Sequence, residues 1–129
     1  MKPNNPVLNL AGASANGSID VTLESNAKGV LVFINRTAAG TGTTPTFTLT
    51  INDVVPDSAS PENTVSSGLS SAALDCTTTG ITTLAIYPGL PVTANVSANG
   101  VVPRTINLSY AIGGTTPTVN VQVSVVSLA

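Results

Sequence analysis

Histidine is absent from the 129-residue sequence, and cysteine occurs once, as Cys76. Imidazole is the commonest general base and metal ligand, and a structural zinc site needs four nitrogen or sulfur ligands, so we expect no zinc site. A single cysteine also excludes an intramolecular disulfide and the small scaffolds that depend on one. We expect Cys76 to be a small buried apolar residue.

Charged residues are scarce as well, at 8% of the chain, with four basic and six acidic side chains and a formal net charge of −2. DNA-binding proteins neutralise about six to ten phosphates, so nucleic acid is not an expected partner. No apolar run approaches the roughly 20 residues of a membrane-spanning helix, so a membrane is not expected either. The start of the chain lacks the pattern of a signal peptide, so we expect a protein that is made in the cytoplasm, or one that is exported with its signal already removed.

Aromatic residues are few, and the residue patterns of enzymes are missing. The chain has two Phe, two Tyr and no Trp, too few to build an aromatic platform for a sugar beside a pair of catalytic carboxylates. No Gly-x-Ser-x-Gly or phosphate-binding glycine motif occurs, and no histidine is present to activate a serine. Asp53, Asp57 and Glu62 lie close together in sequence, but their spacing matches no EF-hand. We expect a protein that is not an enzyme and that has no metal and no cofactor.

Most of the chain shows apolar residues alternating with Thr, Ser or Asn, which is the period of a half-buried β-strand. The continuous apolar run 30–34 instead suits a strand that is covered on both faces. The linker 38–45 predicts either a hairpin or a crossing between sheets, and the irregular segment 53–71 predicts a surface excursion that overlaps a weak strand. The predicted strands are 18–24, 29–37, 46–52, 69–75, 81–87, 92–98, 104–112 and 117–128.

About eight short strands with regular turn signals predict an all-β fold, a two-sheet antiparallel β-sandwich of the jelly-roll or immunoglobulin-like type. Residues 1–15 show no pattern of their own, so we expect an extended N-terminal arm that is ordered only when something binds it. Residues 16–129 would then form a single β-sandwich domain. The mean hydropathy of +0.37 is more apolar than a lone soluble monomer of this size needs, which points to surface buried against other chains.

Four segments each read as a strand with an adjoining turn, namely 28–38 (KGVLVFINRTA), 42–51 (GTTPTFTLTI), 84–90 (LAIYPGL) and 102–106 (VPRTI). Together they resemble the small β-sandwich capsid decoration, or cement, proteins of tailed bacteriophages. The segment 53–71 departs from that group, as does Ile106, where an aromatic residue is more usual. The resemblance implies a structural protein on the capsid exterior of the virion that bridges major capsid protein subunits, commonly as a homotrimer.

The expected contacts with the shell or with a neighbouring copy come from the arm, from the excursion and from one arginine. Strand addition or arm exchange would use the arm, and Arg104 could reach an acidic capsid patch. The candidate contact residues are Lys2, Pro3, Asn4, Asn5, Pro6, Val7, Leu8, Pro56, Asp57, Glu62 and Arg104. Two alternatives stay open, namely a phage tail or fibre subunit and an immunoglobulin-like or carbohydrate-binding surface module.

Overall fold

The computed structural model describes residues 7–55, 63–100, 102 and 104–129, which form eight β-strands and no helix. The predicted all-β class with about eight strands is confirmed. The strands are β1 (Leu8–Ala13), β2 (Gly17–Thr22), β3 (Gly29–Val55), β4 (Asn63–Ser70), β5 (Leu74–Asp75), β6 (Gly80–Tyr87), β7 (Ser97–Asn99) and β8 (Thr105–Leu128).

Two long strands, β3 and β8, run antiparallel to each other along almost their whole length, from Gly29 opposite Leu128 to Asp53 opposite Ile106. Every other strand pairs directly with one of them, except β7, which pairs with β6. All pairs are antiparallel apart from the short parallel pair of β6 and β7. All eight strands therefore belong to one continuous hydrogen-bonded sheet.

The partners of β3 and β8 divide this sheet into two halves. In the first half-sheet, β1 pairs with the C-terminal part of β8 and β6 pairs with the N-terminal part of β3. In the second half-sheet, β2 pairs with the N-terminal part of β8, while β4 and β5 pair with the C-terminal part of β3. One hydrophobic core contains buried side chains of both halves, an arrangement compatible with the predicted sandwich.

The core follows the alternation of the sequence, because successive side chains of a strand point to opposite faces. In each half-sheet the apolar members of the alternating pairs point inward. The inward-facing side chains with no exposed surface are Val30, Val32, Ile34, Phe47, Leu49, Ile51, Leu84, Ile106, Leu108, Val119, Val121, Val123 and Val125. The inner faces predicted for 46–52 and 117–128 are confirmed, as are the inward positions of Ile106 and Leu108 in the strand predicted at 104–112.

The segment predicted as a linker, 38–45, is the crossing between the half-sheets, and β3 passes through it without ending. The pairing of β3 with β8 shifts register four times between Arg36 and Thr46, as expected where strands bend from one packed layer into another. Gly42 and Gly114 have positive φ angles of 93° and 117°. A Cβ atom on Gly42 would collide with the carbonyl oxygen of Thr116, so a glycine is required at this point of closest approach.

The N-terminal arm differs from the prediction in its described part. Leu8–Ala13 form β1, which pairs with β8 from Leu8 opposite Val123 to Ala13 opposite Val119. Leu8 and Leu10 pack against the core, and the N–H of Val7 donates to the carbonyl of Val123 (2.8 Å). The arm of one molecule is thus bound by its own β8, because its alternating leucines complete the inner face of the first half-sheet.

Two other strand predictions are corrected. The strand predicted at 92–98 is wrong for most of its length: only Ser97–Asn99 form β7, and the preceding residues are held in a turn by the N–H of Ser97 donating to the carbonyl of Thr93 (3.0 Å). The excursion predicted at 53–71 is a strand pair where it is described, since Asp53–Val55 of β3 pair with β4. The weak strand predicted at 69–75 is split between the end of β4 and β5.

The crossing generates a stability prediction. Gly42→Ala places a Cβ against the carbonyls of Thr115 and Thr116 and forces an L-residue into positive φ, so we expect the free energy of unfolding to fall by about 1–3 kcal/mol. Urea denaturation measures it. Gly100→Ala is the control, because a Cβ there meets nothing within 4 Å, and its effect should stay within about 0.5 kcal/mol. Equal effects of the two substitutions would contradict a strained crossing.

Candidate interaction surface

The predicted contact residues that the structure describes lie on different parts of the molecule. Val7 and Leu8 stand at the start of β1, beside Val123 of β8. Arg104 is exposed just before the other end of β8, where its carbonyl accepts a hydrogen bond from the N–H of Leu23 (2.6 Å). These residues are therefore not brought together into one site. Lys2, Pro3, Asn4, Asn5, Pro6, Pro56, Asp57 and Glu62 lie outside the described residues.

The outer face of the first half-sheet is apolar at its centre. Leu31 and Phe33 point away from the core because their neighbours Val30, Val32 and Ile34 have no exposed surface. Both are only half-buried, so the continuous run 30–34, which suits a strand covered on both faces, is fully covered on one face only. We call this surface the apolar face; it consists of Leu31, Phe33, Ala85, Tyr87, Val126 and Leu128.

A groove opens at one end of the apolar face. Its volume is about 470 Å³, and Ala85, Tyr87, Leu90, Leu128 and Ala129 line it. The ring of Tyr87 packs over Gly29, where a Cβ atom would collide with the ring and with the carbonyl oxygen of Ile86. The hydroxyl of Tyr87 donates to the backbone oxygen of Ala129 (2.7 Å), which satisfies the polar tip of the ring. The side chains that line the groove are uncharged and mainly apolar, which suits an apolar group of a partner.

The outer face of the second half-sheet has the opposite character. Asn52 and Asn107 are cross-strand partners that are each only 8% exposed. The amide of Asn52 donates to the Oδ1 of Asn107 (3.2 Å) and to the hydroxyl of Ser109 (3.1 Å), and the amide of Asn107 donates to the carboxylate of Asp20 (2.8 Å). These polar side chains, which we call the polar row, form hydrogen bonds with one another across β2, β3 and β8. Their hydrogen-bonding groups therefore have partners without a second chain on this face.

The titratable side chains of the described residues form no metal-binding cluster. No group of three or more histidine, cysteine, aspartate or glutamate side chains is close enough there to hold a metal ion. Hydrogen bonds from the hydroxyl (2.7 Å) and the N–H (2.9 Å) of Thr77 hold the pKa of Asp75 below its usual value. The Arg36 guanidinium nearby lowers it further, and donates to the carbonyl of Asp75 (2.6 Å). These groups stabilise the turn before β6.

Cys76 is buried, with 1% of its surface exposed, which confirms the prediction of a small apolar residue. Its thiol lies 3.6 Å from the carbonyl of Leu74, and burial raises the pKa of the thiol. Its backbone holds the crossing, since its N–H donates to Pro45 (2.9 Å) and its carbonyl accepts from Gly40 (2.7 Å). Cys76 is thus a structural residue.

Comparison with protein-family models, curated proteins and solved structures finds no match to the chain. Among the described residues, no helix is long and apolar enough to cross a membrane. The functional argument therefore depends on the surfaces themselves.

The sequence interpretation did not identify the apolar face as a candidate site. The signal was present, because the run 30–34 implied apolar residues on both faces of one strand. The run 30–34 predicts a strand covered on both faces, because the sequence of one strand does not show whether another layer covers its second face. The groove has no local sequence signal, because Gly29, Tyr87 and Leu128 come together only through pairing of β3 with β6 and β8.

The polar row generates a second stability prediction. Asn107→Ala removes the bonds to Asn52 and Asp20 and leaves the buried Asn52 amide with one partner fewer, so the free energy of unfolding should fall by about 1–3 kcal/mol. Asn9→Ala is the control, an exposed residue of β1, and should change it by less than about 0.5 kcal/mol. Denaturant titration measures both variants. An unchanged midpoint for Asn107→Ala would contradict the network.

Burial of Cys76 predicts slow thiol chemistry. Because the thiolate is the reactive form and burial both raises the thiol pKa and blocks access, alkylation by iodoacetamide at pH 8 should be at least about tenfold slower in the native chain than in guanidinium chloride. Mass spectrometry of timed aliquots measures the rates. Similar rates in the two states would show that the thiol is open to solvent.

Proposed function

We propose that this chain is a non-enzymatic virion structural protein that decorates and cements the outside of a phage capsid by bridging major capsid protein subunits. The observation that carries the proposal is the half-exposed apolar face, which lies on a strand whose sequence suits cover on both faces. Full burial of a leucine or phenylalanine side chain contributes about 1.5–3 kcal/mol relative to full exposure, so covering this face with another chain is favourable.

The remaining surface supports an assembly role rather than a chemical one. The described residues offer an apolar groove, a self-satisfied polar row and a buried thiol, without a cluster of reactive groups. On a capsid, each copy occupies one of many equivalent positions, and weak contacts at several subunits add up through multivalency. The resemblance of the four sequence segments to decoration proteins points in the same direction.

Self-association is part of the proposal, with a homotrimer as the expected form on the shell. The chain would be made in the host cytoplasm and then bind the capsid exterior. The N-terminal residues, which continue from the edge strand β1, are the proposed contacts with the shell, together with Arg104. Arg104 is exposed beside the start of β8 and is available to an acidic surface.

A carbohydrate-binding module is less well supported, because such a site needs exposed aromatic rings. Phe47 has no exposed surface, and its ring stacks on Tyr110 with the centroids 5.6 Å apart. Phe33 and Tyr87 belong to the apolar face, where the hydroxyl of Tyr87 is already bonded to Ala129. Phe47 and Tyr110 thus serve packing, which leaves this alternative with only two half-exposed rings, those of Phe33 and Tyr87.

The test is to mix the purified chain with capsids assembled from the genome that encodes it, sediment the particles and quantify bound chain against the major capsid protein. We expect a fixed ratio of chain to capsid subunit and capsids that resist a higher temperature when the chain is bound. Tails purified from the same particles are the control. Binding to tails alone would favour the tail or fibre alternative, and failure to bind either would overturn the proposal.

A further inference from the structure

We propose that the open edge of β6 is the surface at which a second copy of this chain docks. The inference rests on the self-association in the proposed function and names the surface that this self-association uses. It holds whether or not the chain also binds a capsid. Three features of the described residues carry it, namely the unpaired strand edge, the exposed apolar side chains beside it and the absence of charge.

The first feature is the unpaired length of β6. On one side β6 pairs with β3 from Gly80 to Ile86, whereas on the other side β7 covers only Ala85–Tyr87. The N–H of Ala85 donates toward this second side, to the carbonyl of Val96 (3.0 Å). Since alternate residues of a strand direct their backbone groups to the same side, those of Ile81 and Thr83 also face this edge. No described strand pairs with them there.

The second feature is the concentration of exposed apolar side chains at the same edge. Among the described residues, the exposed large hydrophobic side chains are Ile81, Val92 and Val96, with 67%, 74% and 48% of their surfaces exposed. Ile81 lies in β6, and Val92 and Val96 lie in the connection from β6 to β7. Ala85 of the same strand belongs to the apolar face and to its groove, so the edge and the groove form one continuous surface.

The third feature is the absence of charge. Residues 76–103, which include β6, β7 and their connection, contain no lysine, arginine, aspartate or glutamate. Proteins usually protect an exposed strand edge with charged side chains or with proline within the strand, and β6 has neither. The edge strand β2, by contrast, carries Asp20. An edge that is kept free of such protection is suited to pairing with another strand.

A second copy of the chain supplies the matching surface. A partner strand here must be extended, and an uncharged strand pairs with this edge without leaving a charge beside its apolar side chains. The chain itself has two uncharged edge strands, β1 and β6. The nearest charges in register are Arg36, opposite Gly80, and Asp75, whose carbonyl the Arg36 guanidinium contacts. Because the opposite charges of Arg36 and Asp75 lie close together on each copy, they add little electrostatic repulsion between two copies at this edge. Pairing along the edge would also bring the apolar faces of the two copies side by side.

The test is to compare the mass and sedimentation of the full chain with those of two variants. Ile81→Lys puts a charge on the edge at a side chain that is mostly exposed. Thr83→Pro removes an edge-facing N–H without adding charge, at a position where a strand tolerates proline. Thr22→Lys is the matched control, because Thr22 is an exposed residue of the edge strand β2 in the other half-sheet. Circular dichroism and thermal unfolding check that each variant folds.

We expect the wild-type chain and Thr22→Lys to form the same oligomer, with two or three times the 12.8 kDa monomer mass. Ile81→Lys and Thr83→Pro should associate at least about tenfold more weakly. A monomeric wild-type chain at its highest soluble concentration overturns the inference, and so do folded variants that associate as the wild type does. A monomer that still sediments with capsids would refute this inference and leave the proposed capsid binding intact, whereas an edge-dependent oligomer that does not bind capsids would refute the capsid proposal alone.

Discussion

The antiparallel pairing of β3 with β8 is the constraint on which the rest of the structure depends. The two strands form the centre of both half-sheets, and the other strands reach the core by pairing with them or, for β7, through β6. Their inward-facing residues supply most of the side chains with no exposed surface. The half-sheets share one core because β3 and β8 supply the central inward-facing side chains of both.

This arrangement also explains why the two outer faces differ. The inner faces are alike, since both must pack in one core, but each outer face is free to vary. In the second half-sheet, the side chains of Asn52, Asn107 and Asp20 are joined by hydrogen bonds, so the outer face is polar. In the first half-sheet, Leu31 and Phe33 form a half-exposed apolar surface that continues to the edge of β6. The difference between the faces, more than any single residue, is the reason that the proposed contacts are assigned to the first half-sheet.

The sequence predicted the parts of the fold that depend on local alternation. The inner rows of β8 and of the C-terminal half of β3 were correct because most apolar residues there alternate with Thr, Ser, Asn or Gln. The run 30–34 has no such alternation, and it was predicted to be covered on both faces, whereas only one of its faces is fully buried. For the segment 38–45, which joins the two halves of β3, the sequence left a hairpin and a crossing between sheets open, because the segment lacks alternation. Gly42 lies against carbonyls of β8 that are far away in sequence. The pairing of β1 was missed for a related reason: Leu8 and Leu10 are too short a pattern without the strand that receives them. The apolar face was not predicted for the same reason, since the exposure of Leu31 and Phe33 depends on which strands lie beside and above β3.

The pairing of Gly29 with Leu128 has a consequence for how the chain is made. These residues are almost a hundred positions apart, so the central ladder closes only after its last strand has been synthesised. Until then β1, β2 and β3 all lack the neighbour that holds them, and their apolar rows stay uncovered. Folds dominated by such distant pairings form slowly, within about milliseconds to seconds. The complete sheet therefore forms only once β8 has been synthesised.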